Sequence, residues 1–198
     1  GRAKVKDLGE NEHLIRKYQC SDQIIQEIFE VYIERTNEDL MRSTRKNRAR
    51  IVAVYAPVRR VGKTTFAMPY GRECAKKKKT LYLNLEEYAG LSKELQAGKN
   101  LGDLLYYIRQ GNTNLGVWLQ AVVKKTEELD YIAPIPMALD LKETTIKEWG
   151  MLIEQVIENS NYELIILDIG ECIQGIVDVL NLCDRIYMPL LGDEISQR

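Results

Sequence analysis

Residues 51–67 read IVAVYAPVRRVGKTTFA, an apolar run followed by a loop and the start of a helical pattern. The apolar residues Ile51–Tyr55 predict a buried strand, and the sequence after Gly62 predicts a helix. A strand-loop-helix segment whose loop ends in Gly-Lys-Thr is typical of a phosphate-binding loop, in which backbone N–H groups and the helix N-terminus bind phosphates. We therefore predict that Lys63 neutralises phosphate charge and that Thr64 supplies a hydroxyl ligand for magnesium.

Tyr162–Asp168 is a second candidate element, an apolar strand that ends in an acid. A central strand of this kind delivers a carboxylate to magnesium beside a phosphate-binding loop. Gly170, two residues later, would let the backbone approach a γ-phosphate because it has no Cβ atom. The alternative is that Asp168 only caps the next turn, but the upstream Gly-Lys-Thr favours a magnesium ligand.

A third candidate lies at the end of the strand predicted over Thr80–Leu85. Asn84 and Glu86 lie on the same side of an extended chain. A carboxylate at the carboxyl end of a neighbouring strand can orient an attacking water or reach the outer shell of magnesium. Glu86 and Glu87 are equally well explained as solvated loop acids, so both interpretations stay open.

Short β-rich runs alternate with helical patterns after residue 50. The predicted strands are 51–55, 80–85, 131–133, 163–167 and 185–190. The predicted helices are 64–78, 100–110, 115–128, 144–159 and 174–183. Strands that are apolar nearly throughout and alternate with helices are typical of a parallel sheet covered on both faces. We therefore predict a doubly wound, mainly parallel α/β domain.

The N-terminal part of the chain has a different pattern. Ser21–Asn37 carries apolar residues at helical spacing, which predicts an amphipathic helix, and Thr36–Arg50 is basic with few apolar residues, as in a linker or exposed arm. We predict a helical appendage and linker at 1–48 and a phosphate-binding α/β domain at 49–198. Because the chain begins with Gly1 and stops just after an apolar run, we expect a piece of a longer protein, truncated at its C-terminus.

Charge, cysteine usage and hydropathy narrow the function classes. The 198 residues include 28 basic and 29 acidic side chains, so the composition has no signature of a nucleic-acid or membrane-surface protein. The four cysteines form no Cys-x-x-Cys pair and there is one histidine, which argues against a zinc site. No apolar run is long enough to span a bilayer. We expect a cytoplasmic protein with free thiols.

Three motifs together resemble the MinD/ParA group of deviant Walker ATPases. They are Gly62–Thr65, Asn84–Glu86 and Leu167–Gly170, in the order and approximate spacing of that group. The resemblance covers about residues 50–198 and implies a P-loop fold, ATP and Mg²⁺ as cofactors, a nucleotide-dependent homodimer and a protein partner. The segment beginning at Tyr18–Ser21 resembles the TadZ-like branch, in which a receiver-like domain precedes the ATPase and whose members position pilus-assembly machinery.

The loop departs from the Lys-Gly-Gly-x-Gly-Lys-Thr pattern of that group. Val58 stands in place of the signature lysine, which in the group reaches the phosphates of the partner, and Arg59 and Arg60 replace two glycines. Either arginine could substitute for the lysine, because a guanidinium is a planar fork of donors suited to phosphate. A Cβ at a position that needs positive φ would cost of order 1 kcal/mol, and Pro57 removes one N–H donor.

The resemblance also implies roles for individual residues. The expected nucleotide contacts are Arg59, Arg60, Val61, Gly62, Lys63, Thr64 and Thr65, the expected magnesium ligands are Thr64 and Asp168, and the expected catalytic residues are Lys63, Asp168 and Glu86. Asn84 and Glu86 replace paired aspartates of the group. An amide is not a base, and the extra methylene of glutamate moves its carboxylate by roughly 1 Å, a misplacement that can cost about 100-fold.

Three functions follow from these expectations. The first is a slow Mg-ATP-dependent ATPase or switch that positions or assembles a cellular machine, recruited to a membrane or cell pole through a partner. The second is a non-hydrolysing scaffold for other proteins, which the replacements at Val58, Asn84 and Glu86 favour. The third is a DNA-partition ATPase that uses the basic residues of Arg42–Arg50 or Lys76–Lys79.

Overall fold

The computed structural model describes residues 49–87, 98–111, 115–126 and 128–190. All of them except Leu190 belong to one unit, residues 47–189. The amphipathic helix predicted over 21–37 and the appendage predicted over 1–48 lie outside the described residues and stay predictions.

Six strands form one sheet in the described part of the chain. They are β1 (Arg50–Tyr55), β2 (Thr80–Leu85), β3 (Val123–Lys124), β4 (Asp130–Ile132), β5 (Leu164–Ile169) and β6 (Arg185–Tyr187). Their order across the sheet is β3-β4-β2-β5-β1-β6, and only the β3–β4 pair is antiparallel. β2 and β5 are buried along their whole length, as expected for central parallel strands.

Helices pack on both faces of this sheet. They are α1 (Lys63–Ala75), α2 (Leu101–Arg109), α3 (Leu115–Val122), α4 (Ala138–Glu143), α5 (Ile146–Glu158) and α6 (Ile176–Asn181). Alternate residues of β1 and β5, such as Ile51 and Ile165, share one core with buried residues of α2, α3 and α5, including Trp149. On the other face, Gly71 of α1 approaches Ile166 so closely that a Cβ would lie 3.3 Å from it. The predicted doubly wound α/β fold is confirmed.

The middle of the chain differs from the predictions at two places. The helix predicted over 115–128 ends at Val122, because Val123 and Lys124 pair with Ile132 and Tyr131 as the antiparallel edge strand β3. The β-branched Val123 suits an extended strand better than the continuation of a helix. The short helix α4 was not predicted, because six residues are too few to show a helical period.

Candidate functional site

The loop of residues 56–62 connects β1 to α1 and leaves the helix N-terminus uncapped. Gly62 precedes α1 with a φ of 86°, a left-handed conformation that favours glycine. Gly62 has no side chain to cap the helix, and the first turn contains no acid. By contrast, α5 begins with a reciprocal capping box formed by Thr145 and Glu148. The first-turn N–H groups of α1 therefore remain available to an anion.

Arg60 holds the strained position of this loop. Its φ is 62°, and it is the one non-glycine residue with positive φ among those that the structure describes. An L-residue in this region suffers a close approach of Cβ to the following carbonyl oxygen. The positive φ that is expected to destabilise an arginine in this loop therefore occurs at Arg60 and not at Arg59. The Arg60 side chain is exposed, whereas the next residue, Val61, is buried.

Lys63 is the first residue of α1 and points into the protein. Its side chain is only 6% exposed, and its Nζ lies 3.2 Å from Oε1 of Glu86, just after β2. The carboxylate compensates the burial of the ammonium group. A phosphate that binds at this helix end must therefore compete with Glu86 for Lys63.

Asp168 is a fully buried carboxylate in β5, between β1 and β2. Its Oδ2 accepts a hydrogen bond of 2.7 Å from the Tyr82 hydroxyl, whereas Oδ1 has no hydrogen-bond partner within the described ranges. Burial raises the pKa of Asp168 to about 6, although the nearby hydroxyls of Thr64 and Tyr82 act to lower it. A buried carboxylate oxygen without a partner is costly in a folded protein.

Thr64 and Asp168 together fit a magnesium ion. The Thr64 hydroxyl lies close enough to Asp168 to influence its pKa, and a hydroxyl beside a carboxylate offers the oxygen ligands that Mg²⁺ prefers. The described residues contain no group of three or more acidic, histidine or cysteine side chains that could hold a metal on their own. Mg²⁺ commonly takes one or two protein carboxylates and completes its shell with water and substrate phosphates. One carboxylate and one hydroxyl therefore suffice.

Gly170 brings the end of β5 against the end of β2. Its N–H donates to the carbonyl oxygen of Leu85 at 3.1 Å. A Cβ at this position would lie 2.9 Å from that oxygen, 3.0 Å from the Cα of Glu86 and 3.2 Å from Glu86 Oε2. Glycine is therefore required for the close approach of the two strand ends, and it also keeps the space beside the Glu86 carboxylate open.

Arg59 joins the loop to two acids rather than pointing at the helix end. Its Nε donates to Glu171 at 2.8 Å, and its Nη2 donates to Glu87 at 3.1 Å. Glu87 also lies 3.5 Å from Lys142 of α4. The Arg59 side chain is 60% exposed, so water screens these pairs. Arg59 could leave them for a phosphate at small cost.

The predicted site residues thus fall into two groups. Lys63, Thr64, Glu86 and Asp168 meet at the carboxyl ends of the central strands, while the side chains of Arg59, Arg60 and Thr65 lie at the exposed surface of the loop and the helix start. Asn84 is buried and faces the interior rather than solvent. The open end of a doubly wound sheet at its central strands is the usual position of a ligand site.

The contacts of three residues in this region were missed from the sequence. Glu87 and Glu171 pair with Arg59, and Tyr82 holds Asp168. The pairing of Arg59 with two acids could not be predicted from a local sequence pattern, because the acids lie in separate loops that are distant from Arg59 in the sequence. Tyr82 does show such a pattern, because it precedes Asn84 and Glu86 at intervals of two along a strand and must share their side.

Comparison with solved structures supports this fold. A plasmid partition protein from Borrelia burgdorferi matches with a TM-score of 0.59 and 14% identity, over 75% of this chain and 68% of that one. A ParA family ATPase from Chlorobium tepidum matches with a TM-score of 0.54 and 17% identity, over 70% and 59%. Cobyrinic acid a,c-diamide synthase from Mycobacterium smegmatis, with a bound ATP analog and magnesium, matches with a TM-score of 0.54 and 15% identity, over 72% and 60%.

These similarities establish a ParA-like P-loop fold. No protein-family model and no curated protein matches the chain. The matched region spans only about 60% of the length of the ParA family ATPase and of the synthase. None of the helices that the structure describes has the length and hydropathy needed to cross a membrane.

Proposed function

We propose that the chain binds Mg-ATP at the carboxyl ends of β1, β2 and β5 and acts as a slow ATPase or nucleotide-dependent switch of the ParA type. The observation that carries the proposal is the unpartnered Oδ1 of buried Asp168, close to the uncapped N-terminus of α1. A metal ion on a bound nucleotide would satisfy that oxygen. The bound ATP analog and magnesium in a solved structure of the same fold support this assignment.

Different residues would bind the phosphates and the magnesium ion of the nucleotide. The first-turn N–H groups of Lys63, Thr64 and Thr65 hold phosphate oxygens at the positive end of the helix dipole. The Lys63 ammonium neutralises the β- and γ-phosphates once it leaves Glu86. Thr64 and Asp168 would hold the magnesium ion, which would offset the negative charge of the nucleotide phosphates. Arg59 and Arg60 are the remaining cations of the loop and lie at the surface, from which they can reach a bound phosphate.

Slow hydrolysis follows from the acids near the end of β2. The attacking water must lie in line with the γ-phosphate and be oriented by a polar group. Asn84 cannot serve, because an amide is not a base and both ends of its side chain already form hydrogen bonds. Glu86 is the acid at hand, but its carboxylate is held in an ion pair with Lys63 and is not free to orient a water. We infer that Glu86 places water only after a phosphate has displaced it from Lys63.

We further infer that the nucleotide state is read by other molecules. Gly170 joins the β2 and β5 ends, so a change at Glu86 would be transmitted to both loops. The molecules that recognise the nucleotide state would be a second copy of the chain and a protein partner. They would bind in the cytoplasm, or at a membrane or cell pole to which the partner recruits the chain. Membership of the TadZ-like branch stays a prediction, because the segment beginning at Tyr18–Ser21 lies outside the described residues.

A binding titration tests the proposal. ATP is titrated by calorimetry into the purified chain with Mg²⁺ and again with EDTA, and phosphate release is then followed over hours. We expect binding that Mg²⁺ strengthens, and its loss in Lys63→Ala. Lys76→Ala, at the exposed far end of the same helix, is the control and should bind as the wild type does. Absence of binding, or equal affinity in both lysine variants, would exclude the loop as the site.

The second candidate is the non-hydrolysing scaffold. The observation that favours it is the pairing of Arg59 with Glu171 and Glu87, which leaves this cation of the loop already neutralised without nucleotide. Under this candidate ATP binds but no phosphate is released above the buffer background. Release at any rate that Glu86→Gln abolishes would exclude the scaffold.

A DNA-partition role has weaker support in the structure. Within the basic run that the structure describes, the pairing of Lys76 with Glu73 already neutralises part of the charge. Lys79 donates a hydrogen bond to Asn161. The arm at 42–48 lies outside the described residues. DNA affinity at low salt that survives neutralisation of 76–79 would rule out that run as the contact.

A further inference from the structure

A buried chain of hydrogen bonds runs along one side of β2 behind Asp168. The Tyr82 hydroxyl donates to Asp168 Oδ2 at 2.7 Å, and Asn84 Nδ2 donates to the Tyr82 oxygen at 3.2 Å. The Asn84 carbonyl oxygen in turn accepts from the backbone N–H of Glu86 at 2.9 Å. The three side chains that form these hydrogen bonds, Tyr82, Asn84 and Asp168, are at most 1% exposed.

The direction of these bonds is fixed by the chemistry of the groups. The Glu86 N–H can only donate, so the atom of Asn84 that faces it must be the carbonyl oxygen. The amide nitrogen of Asn84 then faces Tyr82 and donates to its oxygen. Because a tyrosine hydroxyl has one proton, that proton must go to Asp168. The backbone N–H after β2 therefore determines that Tyr82 is a hydrogen-bond donor to Asp168.

We propose that Tyr82 and Asn84 are positioning residues that hold the Asp168 carboxylate with Oδ2 occupied and Oδ1 free for the metal ion of a bound Mg-nucleotide. The inference rests on the proposed function. The same Asn84 fixes the backbone of Glu86, whose carboxylate holds Lys63 at 3.2 Å. The two sides of the site, metal ligand and lysine, are thus positioned by one buried asparagine. A phenylalanine would fill the space of Tyr82 in this strand but could not hold the carboxylate.

The chain contains a matched control for this role. Tyr162 is a second buried tyrosine whose hydroxyl donates to a carboxylate, Asp130 Oδ2, at 2.8 Å. It precedes β5, whereas Asp168 lies near the carboxyl end of that strand. Tyr82→Phe and Tyr162→Phe therefore remove the same atom and the same kind of bond. Only Tyr82→Phe removes it from the candidate metal ligand.

The experiment compares ATP affinity with Mg²⁺ and with EDTA for the wild type and both variants. Loss of an outer hydrogen bond to a metal ligand typically weakens metal affinity by about 10- to 100-fold. We expect Tyr82→Phe to reduce the gain in affinity from Mg²⁺ by about tenfold or more, with the affinity in EDTA changed less than about twofold. Tyr162→Phe should leave both affinities within about twofold of the wild type, while thermal unfolding without ligand reports the structural cost of each change.

Each outcome has one meaning. A wild type that gains nothing from Mg²⁺ overturns the proposed function, and this inference falls with it. A wild type that gains from Mg²⁺ together with an unchanged gain in Tyr82→Phe overturns only the positioning role. Equal losses in Tyr82→Phe and Tyr162→Phe also overturn it, since the effect would then be one of general stability. If Tyr82→Phe does not fold, Asn84→Ser takes its place. Its shorter side chain cannot span Tyr82 and Glu86, so an unchanged Mg²⁺ gain in that variant would contradict the proposal.

Discussion

Replacement of Arg60 by glycine should stabilise the nucleotide-free protein. Arg60 has a φ of 62° and an exposed side chain. An L-residue in this conformation costs about 1–2 kcal/mol, and glycine avoids that cost because it has no Cβ. Glycine also makes the unfolded chain more flexible, which opposes folding by about 0.4–1 kcal/mol. The net expectation is that Arg60→Gly is about 1 kcal/mol more stable than Arg60→Ala, the variant that keeps Cβ but removes the charge.

Urea denaturation of the two variants in EDTA measures this difference. In thermal unfolding, a difference of about 1 kcal/mol should appear as a melting temperature that is roughly 2–4 °C higher for Arg60→Gly. Gly62→Ala provides the opposite test, because Gly62 has a φ of 86° and the nearest atom to an added Cβ, in Thr65, is 4.0 Å away. Its expected loss of about 1 kcal/mol can therefore come only from backbone strain.

The reasoning about backbone strain is wrong if Arg60→Gly is no more stable than Arg60→Ala. A loss in Gly62→Ala together with no gain in Arg60→Gly would show that the left-handed conformation is present at residue 62 but not at residue 60. Both glycine and alanine variants lack the guanidinium, so any difference in their ATP affinity would report loop geometry rather than charge.

Three further predictions concern the strand ends and the start of α5. Gly170→Ala should destabilise the protein by roughly 1–3 kcal/mol in urea denaturation, because the new Cβ would lie 2.9 Å from a backbone oxygen. Gly150→Ala is the control and should be neutral or stabilising, because no atom lies within 4 Å of the added Cβ. Glu86→Gln should raise ATP affinity in calorimetry by roughly three- to tenfold while phosphate release falls, because phosphates no longer compete with a carboxylate for Lys63; unchanged affinity would show that the ion pair does not oppose binding. Burial alone would raise the pKa of Glu148, but hydrogen bonds from its ion-pair partner and from the helix cap outweigh it and hold that pKa below its usual value. Glu148 therefore contributes stability above its unfolded-state pKa that is lost as the pH falls, and the difference in unfolding free energy between wild type and Glu148→Gln should shrink from pH 7 towards pH 3.

The sheet could be predicted from the sequence because its strands are buried on both faces. Ile51–Tyr55 and Thr80–Leu85 are continuous apolar runs with clear ends, and the structure places strands there with bounds that differ by one residue at most. The antiparallel strand Val123–Lys124 could not be predicted, because a two-residue edge strand is defined by its partner rather than by its own pattern. The apolar runs therefore identified the central strands, and the short antiparallel edge strand β3 was missed.

The residues of the candidate site could likewise be predicted only in part from the sequence. Lys63, Thr64 and Asp168 could be identified because each stands at a fixed distance from the end of a predicted strand or the start of a helix. The interval of two places Tyr82 on the same side of the strand as Asn84, but its bond to Asp168 comes from the parallel pairing of β2 with β5, which sets Asn84 beside Asp168. No interval along the chain encodes that neighbour, so the support of the metal ligand becomes visible only in three dimensions.

The ion pairs of the loop also decide which arginine or lysine is free to change partners. Arg59 is 60% exposed, so water solvates it with or without its two acids, and those pairs contribute little. Lys63 is 6% exposed, and separating it from Glu86 without a replacement would leave a buried ammonium unpaired. A phosphate supplies that replacement at the moment of binding, so the exchange at Lys63 is possible only with the nucleotide present. Arg59 needs no such replacement, so it is the cation that can leave its acids for a phosphate at the smaller cost.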